Sequence, residues 1–97
     1  MNADGAGRPL ERDLSIVNKR GLHARAAAKF VQTVERFEAS VVVSKDGHSV
    51  DGDSMMGLLM LGAAPGTSIH IVASGRDAIP ALEAISSLVA DRFGEES

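Results

Sequence analysis

Apolar and polar residues alternate from Glu11 to Asn18, placing Leu14 and Ile16 on one face of a half-buried strand. From Ala24 to Glu35 the period changes. Ala27, Phe30, Val31 and Val34 recur at helical spacing, with Arg25, Lys29, Gln32 and Arg36 on the opposite face. Alternation returns at Ala39, Val41 and Val43. Asp46-Gly47 marks a two-residue hairpin turn, and His48 to Asp51 is the returning strand with Val50 inward. Met55 to Leu61 reads as a short helix, with Asp53 or Ser54 as N-cap and Gly62 as its stop. Pro65-Gly66 is a further turn. Ile69, Ile71 and Ala73 then alternate with His70, Val72 and Ser74. Asp77 caps a last helix with a stripe of Ala81, Leu82, Ile85, Leu88 and Val89, which Phe93-Gly94 ends. Pro80 lies in its first turn, where a missing N–H does least harm.

The element string is strand, helix, strand, strand, helix, strand, helix. Alternating strands imply a sheet with one covered face, and the three helices must cover it, which makes an α+β domain. Periodicity does not give the strand order. Residues 1–10 read as a flexible tail, 11–94 as the domain and 95–97 as a short solvated tail.

Composition narrows the function. The chain has 97 residues, enough for one compact core and little room for an internal cofactor. Aromatics are 3%, all Phe, which argues against a base-stacking platform, and a net charge of −3 argues against a general nucleic-acid surface. No cysteine is present, so disulfides, thiolate metal sites and cysteine nucleophiles are excluded. No apolar run reaches the ~18 residues of a membrane span, and the first residues do not form a secretory signal. A cytoplasmic domain is the expectation.

Charge distribution says more than the total. Leu14 to Val34 holds Lys19, Arg20, Arg25 and Lys29 and no acidic residue, so the rest of the chain carries −7. A basic segment on an acidic domain suits a compact anion. Within it lies Gly21-Leu22-His23-Ala24-Arg25. His23 sits where loop becomes helix, beside N–H groups that lack an intrahelical partner. The positive helix end disfavours a protonated ring and leaves a lone pair free to act as nucleophile. A dianionic group on that ring would meet the N–H donors of Ala24 and Arg25, with the Arg25 and Arg20 guanidinium groups adding charge-assisted bonds. Gly21 lets the loop approach closely. The pattern fits a phosphohistidine or a reversible phosphate site. It equally fits a histidine that only caps the helix.

The second candidate is Ser54 with the helix behind it. Met55, Met56, Leu58, Leu59, Met60 and Leu61 make that helix apolar nearly all round, so part of it faces solvent as an adaptable contact surface. Phosphate on Ser54 would add about −1.5 to −2 charge beside that patch. A packed core helix with an ordinary serine cap is the alternative. His48 and His70 are expected on outward strand faces, and no ligand spacing joins them to His23 in a metal site.

At these two motifs the sequence resembles a known family. Asn-Lys-Arg-Gly-Leu-His23-Ala-Arg25-Ala-Ala-Ala-Lys-Phe is similar to the active-site segment of the histidine-containing phosphocarriers, HPr, of the phosphoenolpyruvate-dependent phosphotransferase system. Ser54-Met-Met-Gly57-Leu-Leu-Met-Leu-Gly62 resembles that family's second helix and regulatory serine. The resemblance implies a βαββαβα open-faced sandwich with a four-stranded antiparallel sheet in order 1-4-2-3. It implies that His23 takes a phosphoryl group on Nδ1 from phospho-enzyme I and passes it to an enzyme II A component, with Arg25 as active-site arginine. It implies modification of Ser54 by an HPr kinase/phosphorylase, and docking through Leu22, Met55, Met56 and Leu59. A monomer without cofactor is expected. Ala26 departs from the family by replacing its usual proline, and Arg20 makes the loop more basic. The run around His23 looks closer to the nitrogen-related, regulatory branch. A regulatory module switched by Ser54 alone is the competing reading.

Overall fold

The computed structural model describes residues 8–96. Most of the expected N-terminal tail, and Ser97, lie outside the described residues. The strands are β1 (Leu10–Ser15), β2 (Ser40–Lys45), β3 (His48–Asp51) and β4 (Ser68–Ser74); the helices are α1 (Ala24–Glu35), α2 (Met55–Leu61) and α3 (Ala78–Ala90). The first strand starts at Leu10, opposite Ala73, one residue inside the stretch that reads as tail. The four strands form one antiparallel sheet in the order β1-β4-β2-β3.

Period-two alternation sorts the sheet into two faces. Val41, Val43, Ile69, Ile71 and Ala73 are buried on the face that the helices cover. They meet Ala26, Ala27, Phe30 and Val34 of α1 and Ala78, Leu82, Ile85 and Val89 of α3 in one core. Ile16, one residue past β1, is fully buried there too. On the uncovered face, Asp13, His70, Ser44 and Ser49 stand in one row across the four strands.

Three details differ from the pattern-based expectation. Asp77 precedes α3 but makes no side-chain cap; its carboxylate accepts the Glu38 N–H at 2.8 Å and ties the helix start to the β2 approach. His48 lies on the same face as Val50, not on the outer one, and is exposed because it sits at the sheet's end. Helix α3 stops at Ala90, and a 3₁₀ turn, Arg92–Gly94, follows.

Candidate phosphoryl-transfer site

The loop before α1 is fixed from below. Gly21 has φ +69, and a Cβ on it would come within 2.6 Å of the Ala63 carbonyl oxygen, so only glycine fits there. The next residue donates its N–H to that same oxygen at 2.9 Å. Asn18 is fully buried, and its side-chain amide donates to the Gly21 carbonyl at 2.8 Å and to Glu95 at 3.1 Å.

This loop delivers His23 as the N-cap of α1. Its backbone is extended, with φ −84 and ψ −178. Its carbonyl accepts the first helical N–H, that of Ala27, at 2.8 Å. The ring nitrogen Nδ1 accepts the Arg25 backbone N–H at 3.3 Å. The other nitrogen, Nε2, meets a carboxylate oxygen of Glu95. One nitrogen accepts and the other faces an acceptor, so the network assigns the proton to Nε2 and the lone pair to Nδ1.

Glu95 departs from the expected solvated tail, with its side chain 13% exposed, while Glu96 is exposed. Arg92, Phe93 and Gly94 all have positive φ, at 55°, 55° and 80°. Such backbone is strained for the two non-glycine residues and needs support from its surroundings. Here the support is visible. The Phe93 ring is fully buried, and Lys29 of α1 donates to the Phe93 carbonyl at 2.7 Å. The turn reverses the chain and brings Glu95 back over His23. Hydrogen bonds from His23, and then from Asn18, hold the Glu95 carboxyl below its ordinary pKa, and Arg20 contributes through its charge.

Arg20 and Arg25, which flank His23 in sequence, are both exposed. Lys29 is turned toward the end of α3, so the basic segment of the sequence splits between the site and its scaffold. Ala24 opens α1 and is exposed.

Ser54 is the N-cap of α2, and its Oγ accepts the Gly57 N–H at 3.0 Å. Gly62 ends the helix in the left-handed region. Only Leu58 of α2 is buried, while Met55, Met56, Leu59 and Met60 are exposed. Leu22 departs from the expected docking set. It is 5% exposed, because its backbone is drawn under the Ala63 carbonyl and its side chain completes the core.

His70 takes no part in the site. Its ring bridges Asp13 at 2.7 Å and Glu11 at 2.9 Å on the uncovered sheet face. Hydrogen bonds to Asp13 and then Glu11 raise its pKa. Among the described residues, no group of three or more His, Cys, Asp or Glu side chains is arranged to hold a metal ion.

Comparison with known proteins decides what such a histidine belongs to. The model of the PTS HPr component phosphorylation site matches residues 10–91. The chain belongs to the HPr phosphocarrier family. It is 44% identical over 86 residues to phosphocarrier protein HPr of Cupriavidus necator, covering 89% of this chain and 97% of that protein. It is 41% identical to phosphocarrier protein NPr of Shewanella violacea, covering 91% and 97%. A crystal structure of HPr-C-His from Thermoanaerobacter tengcongensis superposes with a TM-score of 0.87 at 41% identity, covering 91% of this chain and 99% of that one. HPr membership supports a phosphocarrier role in the phosphotransferase system and interaction with that system's enzymes. The open-faced sandwich in order 1-4-2-3 is the HPr fold. Among the described residues, no helix is long and apolar enough to cross a membrane.

Asn18, Lys29 and Glu95 were missed as site residues from sequence. The available signal was Phe93-Gly94-Glu95. An aromatic next to a glycine marks an anchored turn, and the acid after them is thereby given a fixed place.

Proposed function

We propose that His23 carries a phosphoryl group on Nδ1, taken from phospho-enzyme I and passed to an enzyme II A-type acceptor. The carrying observation is the two-ended hold on its ring, with Nε2 against Glu95 and Nδ1 toward the start of α1. The Nδ1 lone pair attacks phosphorus in line, the phosphorus–nitrogen bond forms, and the bond to the donor's leaving atom breaks. The Arg25 N–H, no longer bonded to Nδ1, is then free to bond a phosphoryl oxygen, joined by the Ala24 N–H and by the Arg25 and Arg20 side chains. The phosphorylated ring retains its Nε2 proton and is formally cationic. Glu95 balances that charge and keeps the proton in place, so the ring departs as neutral imidazole when the acceptor attacks. The chain itself turns nothing over; it is a stoichiometric carrier.

Met55, Met56 and Leu59 form the docking surface in this reading, which their exposure supports. Ser54 is the regulatory position, modified by an HPr kinase/phosphorylase. Its Oγ lies at the head of that surface, flanked by exposed Asp51 and Asp53, so added phosphate deepens a negative edge. The carrier works as a cytoplasmic monomer that offers one face to successive partners.

Incubation with enzyme I and labelled phosphoenolpyruvate tests this. Acid-labile label is expected on the parent chain and none on His23→Ala. An unlabelled parent chain would overturn the carrier reading. For Ser54, Ser54→Asp is expected to accept phosphate more slowly, and an unchanged rate would remove the electrostatic account.

A further inference from the structure

The chain contains no cysteine, tryptophan or tyrosine. Its only sulfur atoms are those of four methionines, and three of these, Met55, Met56 and Met60, lie within the seven residues of α2. Met56 is 71% exposed and Met60 78%, against 37% for Met55. The residues that anchor α2 are different ones. Leu58 is fully buried, and Gly57 packs so tightly that a Cβ there would lie 2.8 Å from the Cβ of Val50. Met56 and Met60 therefore concentrate oxidisable sulfur on one exposed face, while the anchors Leu58 and Gly57 contain none.

We propose that α2 is a reversible oxidation site, with Met56 and Met60 as the sulfurs that hydroperoxides convert to sulfoxides. The thioether sulfur attacks the peroxide, a sulfur–oxygen bond forms and the oxygen–oxygen bond breaks. Sulfur loses two electrons, and the peroxide is reduced to the alcohol, or to water when it is hydrogen peroxide. No thiol of this chain intercepts the oxidant. The product is a strong acceptor dipole on a formerly apolar face. A partner that docks there must desolvate it without offering a bond in return. This consequence rests on the reading that Met55, Met56 and Leu59 dock the phosphoryl donor. Sulfoxides are reduced by methionine sulfoxide reductases, which makes the change a switch.

The test oxidises the full chain with dilute hydrogen peroxide, removes the peroxide, and then adds enzyme I. Peptide mass mapping is expected to find oxygen on Met60 and Met56 before Met55, with the melting curve unchanged. Phosphoryl acceptance is expected to slow on the order of tenfold, the loss of about one well-buried apolar contact. Sulfoxide reductase is expected to restore it. In a Met56→Leu/Met60→Leu chain the ratio of rates with and without peroxide stays at one, whatever its starting rate. Sulfoxides at both positions with unchanged acceptance would overturn the proposal, and so would oxidation confined to Met1. A chain that takes no label before oxidation overturns the carrier reading and its docking consequence, while the mass map still reports the chemistry separately.

Discussion

Two helix starts in this molecule use the same local device for different ends. At α1 the His23 ring accepts the Arg25 N–H; at α2 the Ser54 hydroxyl accepts the Gly57 N–H. The serine cap is complete in itself. The histidine has a second nitrogen, and its partner, Glu95, stands 72 positions away in sequence. Behind that partner are a buried phenylalanine, a lysine from another helix and a buried asparagine. A cap needs only its own turn. A ring held at both of its nitrogens needs the whole fold behind it.

The largest test of this contrast is Phe93→Ala, which removes the anchor of the chain end. Loss of a fully buried Phe is expected to cost about 3–5 kcal/mol in urea unfolding. The ring nitrogen resonances of His23 should shift while the Ser54 and Gly57 amides stay in place. Equal movement at both caps would break the distinction. Gly21→Ala comes next, at roughly 1–3 kcal/mol, since it combines a positive φ with a carbonyl collision. It should disturb the histidine loop and the segment after α2 together. Ser54→Ala is expected to cost about 1 kcal/mol, the usual loss of a serine cap, with His23 resonances unmoved.

Glu95→Gln should change stability less than these and tautomer more. The Glu95 carboxyl is held below its ordinary pKa, so its contact with His23 is present above the usual carboxylate range. It is lost as pH falls through the lowered value. Nitrogen chemical shifts of His23 should show that acid-side step in the parent and not in the variant. The smallest effect belongs to His70. Its pKa is raised, so its contribution is full below the ordinary imidazole value and disappears as pH rises through the raised one. Exposed pairs contribute little, so His70→Gln should flatten only this part of the melting-temperature profile.

The same contrast explains how much was legible. The strands and helices were visible because periodicity, Asp46-Gly47 and Gly62 are local signals, whereas the α2 cap stayed open between Asp53 and Ser54 until the structure placed Ser54 there. Strand order was not, since alternation fixes a face and says nothing about neighbours; it came only with family resemblance. His23, Arg25 and Ser54 stood out by type and place. Glu95 did not, because its role depends on three positive φ values and a buried ring. Leu22 was misplaced because its neighbour in sequence is the capping histidine, whereas its neighbour in space is the core.

One small contact joins the two regions. The Leu22 N–H bonds the carbonyl of Ala63, one residue past the glycine that ends α2. That amide is a natural sensor placed between two ports. Its deuterium exchange should record events at the ring from one side and changes on the methionine helix from the other. In a chain without tryptophan or tyrosine, a single backbone signal can therefore follow both regions at once.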